Sequence, residues 1–408
     1  MRDEAVHHVR VLFMLLDKSN AGLRERMESL RKTGTQYMKV DRMLGYQAAA
    51  ARMFGPAAKP PGMPAGHFNT LSRAPAVFAG MWGVGREQNA DGYYVGISVD
   101  DVAPHVYYLD WKGNDPFHGI ILGRTGKGKT VGAQALAWRM AEQGTQVVLL
   151  EPQGHSRRLL QLAGGKNVSY SQLSYATTKL NILDVVYENP TDQYDHVLTL
   201  LGLLLDPLGN NPPGTFNVPT NLDLTLKERI VLFDFSQVPE RRRPLFYYAT
   251  LAGINHQVRR NPRKRAIFVD EVHYMNQEAS LMTFMANMVK TVRTFGASVI
   301  LIDQDLEAFI GVEGAQAESM AAGTNVTAGQ FILNNSSWLI SFGTKRDAAY
   351  RLAKHFKDEI LPSHAEFLAR MGSDDRHGKG MAVIRANGKA DMIYFQLRPI
   401  EMDCLFGS

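Results

Sequence analysis

The sequence predicts an α/β fold: a mostly parallel, doubly wound sheet flanked by helices. Three observations carry that expectation. Short apolar runs with little polar–apolar alternation recur from about residue 92 onward, as strands covered on both faces require. Helical stretches separate most of these runs, which is the rhythm of strands joined by crossover helices. Finally, the stretch HGIILGRTGKGKTVGAQALA, residues 118–137, passes from an apolar strand through a glycine-rich turn into a helix.

Taken in order, the first fifty residues read as helical. Leu23, Met27 and Leu30 recur at i, i+4 and i+7, with Asn20 available as a cap. A second helical piece runs through DRMLGYQAAAARMFG, residues 41–55. GPAAKPPGMPAG, residues 55–66, then breaks the pattern with four prolines and reads as a linker. No apolar core is visible in this front part. Residues 1–66 are expected to be the helical end of an N-terminal domain that begins outside the chain, and residues 67–408 the α/β domain. YYVGISV and HVYYLD lead into GIIL, and QVVLLE, RIVLFDF, RAIFVDE, ASVILID and WLISFG follow as further strands. A helical insertion is expected near residues 185–215, ahead of the loop GNNPPG. MAVIRANGKADMIYFQL reads as a closing hairpin that turns at Asn387-Gly388.

Composition sets outer bounds. A hydrophobic fraction of 45% over 408 residues is that of an ordinary globular protein. The net charge of +5, from 45 basic and 40 acidic residues, permits contact with nucleic acid or an acidic surface without requiring it. A single cysteine, Cys404, excludes an internal disulfide framework and fits a reducing compartment. VLTLLGLLL, Val197 to Leu205, is the most apolar run and is too short to span a bilayer. The expectation is a cytoplasmic protein with no transmembrane helix.

The glycine-rich turn matches G-x-x-x-x-G-K-[ST] through Gly123, Arg124, Thr125, Gly126, Lys127, Gly128, Lys129 and Thr130. Glycines admit backbone conformations closed to other residues, so successive N–H groups can wrap phosphates. The following helix adds its positive end. In this arrangement Lys129 reaches β- and γ-phosphates and Thr130 ligates Mg²⁺, so the expected ligands are ATP and Mg²⁺. Lys127 reads as solvent-facing. RAIFVDEVHYM supplies the complement: Asp270, at the end of an apolar strand, to hold the magnesium, and Glu271 to deprotonate an attacking water. His273 reads as a packing or loop histidine. Met282, Met285, Val289 and Val292 lie at helical spacing and read as core. Gln304 follows ASVILID, at the carboxyl end of a strand, where it can sense a γ-phosphate.

The string HGIILGRTGKGKT, VVLLEPQGH, RIVLFDFSQVP, AIFVDEVHYM, VKTVRTFGASVILIDQD and FILNNSSWLI resembles the ATPase domain of conjugative-transfer and type IV secretion systems. This is the VirB-four family within the HerA/FtsK superfamily of ring-forming P-loop motors. The resemblance runs from about Tyr93 to the C-terminus. It implies a RecA-like core with a helical insertion, a homo-hexamer with ATP at subunit interfaces, and other secretion-channel subunits as partners at the inner face of the membrane. Lys129, Thr130, Asp270, Glu271 and Gln304 match the family's functional positions. Arg293 falls where the family carries a basic residue that can face a neighbour's γ-phosphate, and Arg351 is a weaker candidate for the same task. The chain departs from the family at Lys127, where a small residue is usual, and at Glu151, where an aspartate is. Ile302-Asp303 replaces an alanine-threonine pair, which adds charge beside Gln304.

RRNPRKR, Arg259 to Arg265, holds five basic residues, and Arg241 to Arg243 add three. Both clusters are expected in solvated loops at the end of the sheet away from the nucleotide. Contact with DNA stays open. Three functions compete: an ATPase energising a secretion or conjugation channel, a DNA-pumping translocase, and a nucleotide-binding structural subunit with negligible turnover.

Overall fold

The structure, a computed structural model, describes residues 6–9, 19–34 and 68–71 and, with short interruptions, 92–198, 219–310, 327–374 and 378–406. The chain divides into two compact units, Met1–Val84 and Gly85–Ser408. In the first, strand β1 (Val6–Val9) pairs antiparallel with β2 (Phe68–Leu71), and helix α1 (Asn20–Gly34) intervenes in sequence. The helical expectation therefore holds for α1 and fails at β1. The partner of β1 lies far along the chain, and local periodicity does not register such a contact. The second helical piece and the proline-rich linker, residues 41–66, lie outside the described residues.

In the second unit the elements follow in chain order as β3 (Tyr93–Ser98), β4 (Val106–Leu109), β5 (Gly119–Leu122), α2 (Lys129–Glu142), β6 (Gln146–Glu151), α3 (Arg157–Leu162), β7 (Val168–Ser174), β8 (Ile230–Gln237), α4 (Arg243–Arg260), β9 (Arg265–Asp270), α5 (Ala279–Val292), β10 (Ala297–Asp303), α6 (Glu307–Ile310), α7 (Ala328–Asn334), β11 (Trp338–Phe342), α8 (Arg346–His355), α9 (Pro362–Ser373), β12 (Met381–Ala386), β13 (Lys389–Tyr394) and α10 (Pro399–Phe406). The strands form one eleven-stranded sheet in the order β4-β3-β13-β12-β11-β5-β10-β9-β6-β8-β7. The run β11-β5-β10-β9-β6-β8-β7 is parallel throughout, and the remaining strands add antiparallel on the β11 side.

The sequence pattern explains the layers. Every residue of β5, β6, β9, β10 and β11 is buried. Alternate side chains feed opposite cores: Val148 and Leu150 join the core under α4 and α5, while Val147 and Leu149 join the one under α2. Met282, Met285, Val289 and Val292 are buried core residues, as their spacing predicts. The β12–β13 hairpin turns through Asn387 (φ 54°) and Gly388 (φ 71°), the doubly left-handed turn that Asn-Gly favours. Of the expected insertion, described positions between 190 and 198 are helical, and residues 199–218 lie outside the described part. Among the described residues no helix is long and apolar enough to cross a membrane.

Candidate active site

Strand order decides which loops meet. β10 lies between β5 and β9, so the loops after all three parallel strands open at the same end of the sheet. The loop after β5 carries Gly123 to Thr130. Gly126 (φ 82°) and Gly128 (φ 109°) take the left-handed conformations that the turn needs. Arg124 N donates to Gly343 O (3.2 Å) and Lys127 O accepts from Gly380 N (3.0 Å), which braces the loop from both sides. No side chain caps the start of α2, so its first-turn N–H groups are free of a capping oxygen. Thr130 sits half-buried in that turn.

Lys129, Asp270, Glu271 and Gln304 are brought together. The buried Lys129 ammonium lies 3.5 Å from Glu271 Oε1 and 3.9 Å from Asp270 Oδ1 and makes no hydrogen bond among the described residues. Gln304 bridges the two flanking loops: its Oε1 accepts from Thr125 Oγ1 (3.3 Å), and its Nε2 is 3.4 Å from both Glu271 oxygens. Gln153, in the loop after β6, donates to Glu271 Oε1 at 3.4 Å. The charge that Asp303 adds is turned aside, because its Oδ1 accepts Gln304 N (2.6 Å) and its Oδ2 accepts His273 N (2.6 Å).

The two carboxylates of β9 are driven apart electrostatically. Burial pushes Asp270 up to about 7, against the pull of Lys129 and with added push from Glu271 and Glu151. Burial alone would raise Glu271 as well. The hydrogen bond from His273, the charges of Lys129 and His273 and the Gln304 amide outweigh it and hold Glu271 below the usual carboxylate range. Glu271 thus stays an ionised proton acceptor at neutral pH. Two observations fit this loop to an anionic ligand such as a phosphate group. A buried ammonium lacks a hydrogen-bond acceptor, and the space beside Gly126 is open, with no atom within 4 Å of where a side chain would begin.

Several expectations need correction. Lys127 is not solvent-facing: it is buried, and its Nζ donates to Asp374 O (3.0 Å), because the turn before β12 closes over the loop. Arg124, Thr125 and Gly126 are the exposed residues of the loop, and Arg124 reaches Gly372 O (3.2 Å). Of the two readings of His273 the loop one holds, for it lies in the turn after β9, but it is engaged there: its Nδ1 sits 3.1 Å from Glu271 Oε2 and 3.4 Å from Asp303 Oδ2. Arg241 to Arg243 follow the carboxyl end of β8 and so lie at the nucleotide end of the sheet, where Arg243 bonds Tyr274 OH (2.7 Å). Arg263 and Lys264 do precede β9 at the far end, but Arg265 is the first residue of β9, is fully buried and bonds Gln146. Arg293, exposed, precedes β10 and stands roughly 20 Å of strand away from the chain's own phosphate loop. Arg351 is paired with Glu307. Sequence reasoning missed Gln153, Asp303 and His273 as neighbours of Glu271. The one local signal was the histidine two residues beyond the glutamate.

No protein-family model matches the chain, and no curated protein does. Solved structures do. VirB4 of Thermoanaerobacter pseudethanolicus superposes with a TM-score of 0.61 at 17% identity, covering 77% of this chain and 99% of that one. The plasmid coupling protein TrwB, in complex with the non-hydrolysable ATP analogue ADPNP, superposes with a TM-score of 0.50 at 12% identity, covering 71% of this chain and 88% of that one. The fold of residues 85–408 is accordingly the RecA-like P-loop ATPase fold of VirB4 and TrwB, as the motif order predicts.

Proposed function

We propose that the chain is an ATPase that powers assembly of, or substrate transfer through, a type IV secretion or conjugation apparatus. It would work as a homo-hexamer beside other channel subunits. The observation that carries the hydrolytic part is the buried, unsatisfied Lys129 ammonium set against Asp270 and the ionised Glu271. The likeness to VirB4 along most of both chains supports the apparatus.

Lys129 and the loop N–H groups would hold the β- and γ-phosphates, and Thr130 and Asp270 the magnesium ion. When bound, that ion neutralises charge on the phosphate oxygens. Glu271 takes the proton of the attacking water. Gln304 touches both Thr125 and Glu271, so it can report the presence of a γ-phosphate to the base. Arg293, which lies before β10 and away from the chain's own phosphate loop, would serve a neighbouring chain's γ-phosphate.

The test is phosphate release from Mg·ATP by the wild type and by Glu271→Gln, with mass photometry in the presence and absence of a non-hydrolysable analogue. Turnover lost in the variant, with binding kept and rings formed on nucleotide, supports the proposal. Equal, slow turnover in both proteins favours a nucleotide-binding structural subunit. Strong stimulation of hydrolysis by DNA favours a DNA-pumping translocase.

A further inference from the structure

Glu271 has left-handed backbone, φ 55°, an unusual state for a residue with a long side chain. The conformation starts a tight turn, closed by Tyr274 N donating to Glu271 O (3.1 Å), that swings His273 back toward the carboxylate two residues before it. Asp303 fixes the returning histidine twice, through its backbone N–H (2.6 Å) and through ring Nδ1 (3.4 Å). Asp303 reaches this place only because β10 lies beside β9.

The contacts to Glu271 divide by oxygen. Oε1 faces Lys129 (3.5 Å), Gln153 (3.4 Å) and Gln304 (3.4 Å), whereas Oε2 faces His273 (3.1 Å) and Gln304 (3.4 Å). A triphosphate in the loop competes for Lys129 and so removes the cation from the Oε1 side. His273 is bound to no such competitor. We propose that His273, held by Asp303, is the positioning residue for Glu271: it anchors Oε2 when Lys129 turns to phosphate, so that Oε1 is the oxygen presented to the attacking water. The inference rests on the ATPase reading of the site. Pairing with Asp303 and Glu271 also raises the ring to about 9, so it is a charged donor at neutral pH. At 41% exposure the ring is open to small molecules in solution, which makes chemical rescue feasible.

The experiment measures steady-state ATP turnover and affinity for a fluorescent ATP analogue in the wild type, Glu271→Gln, His273→Ala, His273→Gln and Asp303→Asn. Misorienting a reacting group costs about 100-fold, so His273→Ala should lose about that much kcat while analogue affinity stays within about twofold. Added imidazole should restore turnover to His273→Ala and not to Glu271→Gln. His273→Gln, which still donates a hydrogen bond, should fall between, and Asp303→Asn should lower kcat in the same direction as His273→Ala. Wild-type kcat in His273→Ala, or affinity lost in step with kcat, overturns the positioning role, and a loss of turnover in Glu271→Gln then leaves the ATPase reading intact. If His273→Ala does not fold, wild-type kcat in both His273→Gln and Asp303→Asn overturns it instead. Identical turnover in wild type and Glu271→Gln overturns both.

Discussion

Helix α2 carries two buried cations that meet opposite fates. Arg139 pairs with Glu401 of α10, with Nε 2.9 Å from Oε1 and NH2 2.5 Å from Oε2, both side chains at most 2% exposed. Its other donors reach Tyr94 O, Val95 O and Gln396 O, while Tyr94 and Phe395 cover the guanidinium plane. Arg398 completes Glu401 by donating through N and Nε (both 2.8 Å). Lys129, at the other end of the same helix, is equally enclosed but stands 3.5 and 3.9 Å from its carboxylates with no hydrogen bond among the described residues. Burying a charge is tolerable when its hydrogen bonds are complete. The complete group ties β3 and α10 to α2 and is structure. The incomplete one leaves an ammonium with acceptors still to satisfy, which is what the proposed phosphate site requires.

The largest expected effect breaks the incomplete group at its base. Glu271→Gln should lower kcat by about 10³-fold, the usual worth of a general base, with little change in melting temperature. Next comes the complete group. Glu401→Ala strands a buried Arg139 and should cost about 4 kcal/mol in urea denaturation. Lys129→Ala should weaken Mg·ATP binding by about 100-fold, or roughly 2.7 kcal/mol. It should disturb stability less than Glu401→Ala, because Lys129 has no hydrogen bond to lose and Asp270, at about 7, can take up a proton.

The smallest effect is in pH, and here the two groups run in opposite directions. The folded-state value of His273 is raised from 6.5 to about 9, chiefly by Asp303 and then by Glu271. Its contribution to stability is therefore complete below pH 6.5 and lost as pH rises through 9. Glu401 is held below its ordinary 4.5: burial would raise it, but the hydrogen bond and charge of Arg139 prevail. Its contribution is present above pH 4.5 and lost as pH falls through the lowered value. Melting curves of the wild type, His273→Ala and Glu401→Ala from pH 3 to 10 should show the first difference closing at high pH and the second at low pH.

What was legible in the sequence was local. Gly123 to Thr130, Asp270-Glu271 and the apolar strands announce themselves because a strand–turn–helix loop, a strand ending in carboxylates and two-sided burial each leave a mark within a short window. β7 escaped because it is a half-buried edge strand, VSYSQLS, with neither a continuous apolar run nor clean alternation. The Asp303–His273 contact and the Arg139–Glu401 pair escaped because their partners are brought together by sheet order and by the docking of α10, which no window of sequence contains. The end of the sheet occupied by Arg241 to Arg243 follows from the parallel direction of β8, and a cluster's composition does not reveal that direction.

Calorimetric titration of Glu271→Gln with Mg·ATP decides whether residues 129, 270, 271 and 304 together receive a magnesium-bound triphosphate, as proposed. Saturable binding at one site per chain is expected, weakened about 100-fold by Lys129→Ala. No binding heat, or the same isotherm from both variants, would contradict it.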